Sequence, residues 1–179
     1  MKMKFLCLIA AALFAASPLI AAPTHLKEGE KAPMFSGHDQ DGKKWDLSDH
    51  VGKQLVLLYF YPKDDTAGCT AEACGLRDNM GAFKQEGVEV VGASFDNRDS
   101  HKRFAFKYGL TFPLLADTSG EIADAYGARA GQGRNMARRI SFLIGLDGKI
   151  IHITDSPDPA VHLREMADVI VHWKDKPSH

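Results

Sequence analysis

The 179-residue sequence predicts an α/β fold with a central mixed β-sheet flanked by helices on both faces. Three observations carry that prediction. Short apolar runs rich in branched and aromatic residues alternate with longer segments of helical periodicity. Near the C-terminus, two such runs flank one Asp147-Gly148 turn signal, the mark of a β-hairpin and so of an antiparallel part of the sheet. No internal repeat, low-complexity tract or linker divides the chain, so these elements belong to one domain.

The elements follow in order. Asp39-Gln40-Asp41-Gly42 lacks the downstream glutamate of a calcium loop and reads as a hairpin turn. The run Leu55–Tyr61 is too short and too rich in aromatic and branched residues to be anything but a buried strand. A helix follows over Thr70–Glu86, with Gly87 as its C-terminal cap and Ala73, Leu76, Met80 and Phe83 on its apolar face. Gly75 and Gly81 lie inside it, each costing about 1 kcal/mol relative to Ala, which makes local melting cheaper. Val88–Phe95 is a second buried strand, and Ser100–Tyr108 a helix closed by Gly109. A short apolar piece, Pro113–Ala116, leads to a helix around Ser119–Tyr126 and a loop rich in Gly and Arg. Gly131-Gln132-Gly133 in that loop lacks the strand-to-helix context of a phosphate loop and reads as a turn. Arg139–Ile144 and Lys149–Thr154 form the hairpin. The last helix starts with Asp158 as N-cap and Pro159 at its first position, and Leu163, Met166, Ala167, Ile170 and Trp173 supply its apolar stripe. The order β-α-β-α-β-α-β-β-α is a thioredoxin-like layout.

The N-terminus carries a different signal. Met1-Lys2-Met3-Lys4 is basic, Phe5–Ala16 is almost wholly apolar, and a Ser-Pro break precedes Leu19-Ile20-Ala21-Ala22. That pattern predicts a secretory signal peptide over 1–22, cut after Ala21 or Ala22, because the apolar run falls short of the about 20 residues a spanning helix needs. The mature chain, 23–179, is then expected to be exported to a bacterial periplasm and to carry no membrane segment. Removing the leader leaves 20 basic against 23 acidic residues, a balance that gives no reason to expect nucleic acid as a partner. It also removes Cys7, leaving Cys69 and Cys74 as an even pair in a compartment that permits disulfides.

Cys69 lies in the strand-to-helix loop Tyr61-Pro62-Lys63-Asp64-Asp65-Thr66-Ala67-Gly68-Cys69, at or near a helix N-terminus. Unpaired backbone N–H groups and the helix macrodipole there favour an anion, and thiols in such places can titrate at roughly 3.5–7.5 instead of about 8.5. Asp64 and Asp65 are expected to face solvent, since a carboxylate turned toward the sulfur would oppose a thiolate. On a strand beginning at Arg139, Arg139, Ser141 and Leu143 share one face and Arg138, Ile140 and Phe142 the other, so only one of the two arginines can reach Cys69. Position relative to the Ile-Ser-Phe-Leu run favours Arg139. The eight histidines invite a metal reading, but His152, His162 and His172 do not fall on one face and are expected to be solvated or locally hydrogen-bonded.

The pattern Pro62-x-x-x-Thr66-x-x-Cys69, with Cys74 five positions on, resembles the peroxiredoxins, specifically the bacterioferritin-comigratory or PrxQ subfamily. The resemblance extends to Gly29-Glu30-Lys31-Ala32-Pro33-Met34-Phe35, to Tyr59-Phe60-Tyr61-Pro62, to Cys69-Thr70-Ala71-Glu72-Ala73-Cys74 and to Arg139–Ile144. It implies an atypical two-cysteine thiol peroxidase acting on hydrogen peroxide and small organic hydroperoxides, with no metal, haem or flavin cofactor. By the same resemblance Cys69 attacks the peroxide and Cys74 resolves the sulfenic acid as an intramolecular disulfide. Thr66 would supply a hydroxyl to thiolate and peroxide, Arg139 would stabilise the thiolate and orient substrate, Pro62 would shield the sulfur, and Glu72 would hold the arginine. The chain departs from the subfamily at Ala67, where proline is usual, which leaves the loop before the cysteine less pre-set.

Spacing adds a mechanical constraint. Two cysteines five residues apart in one regular helix have Cα atoms about 8–9 Å apart, beyond the roughly 7 Å limit for a disulfide, so the helix start must unwind first. An external dithiol reductant is needed: thioredoxin in a cytosol, a thioredoxin-fold protein in a periplasm. An in-chain resolving cysteine removes any chemical need for a dimer, and a monomer is expected. Three readings compete. An inert disulfide is set against the helical geometry and the threonine upstream. A thiol-disulfide oxidoreductase would carry Cys-x-x-Cys and a copper carrier Cys-x-x-x-Cys with a histidine, and neither spacing fits.

Overall fold

The computed structural model of the protein describes residues 26–131 and 133–173; the expected leader and Gln132 lie outside them. The main sheet is built around β3 (Leu55–Phe60), every residue of which is buried. Burial on both faces is why its sequence is a continuous apolar run and does not alternate. β4 (Val88–Ser94) and β5 (Leu114–Ala116) follow in parallel on one side, while β6 (Ile140–Ile144) and β7 (Ile150–Asp155) form the expected antiparallel hairpin on the other. The strand order is β5-β4-β3-β6-β7. A separate hairpin, β1 (Ser36–His38) and β2 (Lys44–Asp46), precedes the sheet. Its turn is the Asp39–Gly42 segment, where the Asp39 carboxylate accepts from the Asp41 and Lys43 N–H groups.

Helices α1 (Ala67–Gln85), α2 (Arg98–Tyr108) and α4 (Pro159–His172) cover one face, where Leu57, Tyr59 and Leu143 pack with Leu76, Phe104 and Met166. The opposite face, Val56, Leu58 and Phe142, is covered by the short α3 (Glu121–Ala125) through Ile122 and by the β1–β2 hairpin through Trp45. The flanked mixed sheet is therefore as expected, with the helical mass concentrated on one side. Among the described residues no helix is long and apolar enough to cross a membrane.

Helix starts differ from the sequence reading by two or three residues. α1 begins at Ala67, not Thr70, because Thr66 takes the extended N-cap conformation while its hydroxyl makes no cap bond, so the start carries no side-chain signature. α2 begins at Arg98 because the Asn97 side chain accepts from Ser100 N–H at 2.9 Å. α4 starts as expected, with the Asp158 side chain accepting from Ala160 N–H at 2.9 Å. Gly75 has a role the propensity argument missed: a Cβ there would lie 2.3 Å from Leu163 Cδ1, so its bare Cα lets α4 pack closely on α1.

Both borders of the main sheet are partly covered. Along β7, Gly29 N–H donates to the Ile150 carbonyl, Ile150 N–H to Glu30, and Ala32 N–H to Gly148, at 2.8–2.9 Å. Beside β5, the Gln40 side-chain amide donates to the Phe112 carbonyl (3.3 Å) and accepts from Leu114 N–H (2.8 Å), occupying the place of a neighbouring strand.

Candidate active site

The C-terminal end of β3 delivers Tyr61 and Pro62 to a short loop, and the loop delivers Cys69 to the first turn of α1. The first-turn N–H groups, that of Cys69 included, have no acceptor within the helix, and the positive end of the macrodipole lies at the sulfur. Cys69 is 1% exposed. Arg139, the residue before β6, reaches across to it: Nη2 lies 3.4 Å from Cys69 Sγ, Nη1 donates to Glu72 Oε2, and Nε donates to the Pro157 carbonyl at 3.2 Å. Arg138 turns the other way, to Asp155 and the Gly127 carbonyl, as strand alternation requires.

Gly68 makes this crossing possible, since a Cβ there would already lie 3.2 Å from Arg139 Nη2. Burial opposes the Arg139 charge, yet Glu72 and the Cys69 sulfur outweigh it and hold the guanidinium above its ordinary value. Glu72 is 0% exposed, and its burial pushes the carboxyl up to about 7 against the pull of Arg139. Cys69, Glu72 and Arg139 are thus brought into one contact set.

Cys74 stands on the same uninterrupted helix, half-buried, and both thiols are free. Its neighbour is Arg77, whose guanidinium also donates to the Tyr108 carbonyl at the end of α2. Pro62 is half-buried on the loop, and the Thr66 hydroxyl donates to the Lys63 carbonyl at 3.1 Å.

The expectation that both loop aspartates face solvent is half wrong. Asp65 is exposed and pairs with Lys107 and the Tyr108 hydroxyl, each at 2.7 Å. Asp64 is buried, and accepts from Tyr61 Oη (2.7 Å) and Ser100 Oγ (2.7 Å) while lying 2.9 Å from His101 Nδ1. His101 Nε2 faces the Leu115 carbonyl at 3.1 Å. Burial works against the Asp64 charge, but the His101, Ser100 and Tyr61 partners hold its carboxyl below the usual range. No sequence signal links Asp64 to a histidine 37 positions away; only the return of α2 beside the loop does.

Local hydrogen bonding holds for His152, paired with Glu28 at 2.7 Å, and for the exposed His172, bonded to the Asp168 carbonyl at 2.8 Å. His162 is hydrogen-bonded too, but buried and close to Glu72, a juxtaposition the sequence reading missed.

A buried cysteine at a helix N-terminus on a thioredoxin-like sheet, touched by an arginine that a buried carboxylate holds, is an arrangement suited to thiol chemistry. Residues 29–153 match the AhpC/TSA family. The chain is 44% identical over 153 residues to peroxiredoxin Bcp of Escherichia coli K12, covering 83% of this chain and 95% of that protein. Among solved structures, it resembles peroxidoxin BcpB of Mycobacterium tuberculosis at 29% identity and TM-score 0.77, covering 86% of this chain and 100% of that one. It also resembles the Xanthomonas campestris bacterioferritin comigratory protein, in a structure concerned with alkyl peroxide reduction, at 25% identity and TM-score 0.71, covering 78% and 91% of the two chains. The chain therefore belongs to the AhpC/TSA family, and within it is a thiol peroxidase of the Bcp and PrxQ kind.

Proposed function

We propose that Cys69 is the peroxidatic cysteine, Cys74 the resolving one, and Arg139 the group that holds the thiolate and turns the peroxide in line with it. The Cys69 thiolate attacks one peroxide oxygen, an S–O bond forms as the O–O bond breaks, and the departing alkoxide or hydroxide takes a proton. The Cys74 thiol then attacks the sulfenic sulfur, releases water and leaves a disulfide that an external thioredoxin-like dithiol reduces. The observation that carries this reading is the single guanidinium shared between Cys69 Sγ and Glu72: its fixed fork of donors serves both partners at once. Thr66 and Pro62 lie on the loop just before Cys69, and for the Thr66 hydroxyl to serve the peroxide it would first leave the Lys63 carbonyl.

Both cysteines lie on α1, so closing the disulfide requires its first turn and a half to unwind, and hydrogen exchange at 69–78 should quicken on oxidation. The leader-like 1–22 segment supports a periplasmic site of action, and the in-chain resolving cysteine supports a monomer.

The test mixes reduced protein and its Cys69→Ser and Cys74→Ser variants with stoichiometric hydrogen peroxide, following thiol loss and mass. Rapid oxidation that depends on Cys69, with a sulfenic acid trapped in Cys74→Ser, is expected. Slow oxidation indifferent to Cys69→Ser would overturn the assignment.

A further inference from the structure

Behind the Cys69–Arg139–Glu72 contact lies a second buried group that the peroxide chemistry leaves unused. Glu72 Oε2 accepts from Arg139, but Oε1 is buried without any hydrogen-bond partner. A fully buried carboxylate oxygen with no donor is costly, so its surroundings demand an explanation. The atom facing it is His162 Nδ1, 3.7 Å away on α4, itself 2% exposed.

The state of that histidine can be read from its partners. His162 Nε2 lies 2.8 Å from the Ser156 carbonyl, which can only accept, so Nε2 carries the proton. In the neutral ring Nδ1 is then a bare acceptor, and it takes the Ser141 hydroxyl at 2.8 Å. The one Nδ1 lone pair is engaged by Ser141, so a neutral imidazole gives nothing to an ionised Glu72; it takes or shares a proton from a protonated Glu72 when the Ser141 hydroxyl turns away, since a hydroxyl can rotate to accept instead of donate.

We propose that His162 is a positioning residue for the peroxidase reaction: it shares one solvent-derived proton with Glu72 Oε1, and so sets how much of the Arg139 charge remains for the Cys69 sulfur. With that proton present, on either partner, the charge opposing Arg139 is cancelled and the guanidinium acts in full on the thiolate. With it absent, Glu72 takes up part of that charge. The pair titrates as a unit, so the proton belongs to both.

The groups facing Glu72 are Cys69 on its own helix, Arg139 before β6, His162 on α4 and the Tyr59 hydroxyl on β3. His162 is in turn faced by Arg139, by Glu165 on α4 and by Asp155 at the end of β7. Burial, followed by Arg139, keeps the ring below its ordinary value while Ser156 and the two acids pull the other way. The shared proton therefore resides mainly toward Glu72, whose burial already favours the neutral carboxyl.

This proposal rests on the peroxidase reading for its purpose but not for its measurement. Infrared spectra of the reduced full-length protein between pH 5 and 9 follow the C=O band of a protonated buried carboxyl, which Glu72→Gln assigns by removing it. In His162→Gln the amide donates to Oε1 and favours the ion, so the band should vanish about one pH unit or more lower. In Ser141→Ala, Nδ1 is freed to accept from Glu72, and the band should persist to higher pH. Peroxide oxidation of Cys69 at neutral pH should slow about threefold or more in His162→Gln, following the lost field of Arg139. A band that stays in place in either variant, with far-ultraviolet circular dichroism unchanged, overturns the proposal; if His162→Gln fails to fold, Ser141→Ala decides it. A band that moves as expected in a protein that leaves peroxide intact supports the shared proton and removes the peroxidase reading instead.

Discussion

Gly68 sits where the arginine fork crosses the start of α1, with room for Arg139 Nη2 only 3.2 Å from where a Cβ would stand. Gly68→Ala should leave urea stability equal or raise it by up to about 1 kcal/mol, because alanine is the better helix former. The same variant should slow peroxide oxidation of Cys69 by about tenfold, since a shift of a few tenths of an ångström misplaces the fork. Stopped-flow and equilibrium unfolding on one preparation would separate the two effects. At Asp64 the expectation reverses: Asp64→Ala leaves the buried His101 and Tyr61 and the half-buried Ser100 without their common acceptor, and should cost about 1–3 kcal/mol in urea unfolding. The geometry was legible where it is written in local spacing, as for Cys69 in the first turn of a helix, or in strand parity, as for Arg139 over Arg138, whereas the Thr66 hydroxyl, expected at the sulfur, donates to the Lys63 carbonyl. The geometry was illegible where partners meet only through folding, as for Asp64 with His101 and Glu72 with His162.

Among the elements, α1 carries two opposed demands. It must be firm enough to hold Cys69 against Arg139 and loose enough to open for Cys74. Its two inner glycines divide these demands. Gly81→Ala meets nothing within 4 Å and should stabilise by about 1 kcal/mol. Gly75→Ala places a methyl 2.3 Å from Leu163 Cδ1 and should destabilise by about 1–3 kcal/mol through overpacking against α4. Thermal melts of the two reduced variants should therefore move in opposite directions. Periodicity could show the buried face of α1, and Ala73, Leu76, Met80 and Phe83 are all buried. It could not show that Gly75 faces another helix, because a missing side chain looks the same in sequence whether it saves space or only lowers helicity. The start of α1 was hidden for a similar reason, its N-cap threonine spending its hydroxyl on Lys63.

For the molecule as a whole, the buried carboxyls set the dependence of stability on pH. Folded Glu72 titrates at about 7 against an ordinary 4.5, so its contribution is complete below pH 4.5 and is lost as pH rises through 7. Asp64 runs the other way: its contribution is present above its ordinary 3.8 and is lost as pH falls below it. The melting temperature of the reduced protein should fall between pH 5 and pH 8, and Glu72→Gln should flatten that fall. The borders of the sheet act at the same scale. Residues 29–32 pair with the start of β7 and the Gln40 amide occupies the flank of β5, so these stretches of the borders have their backbone groups already engaged. Unpaired borders are where folded chains nucleate fibrils or fuse sheet to sheet. Two copies of the reduced protein that meet find those stretches already occupied, which leaves less of a template on which to zip together.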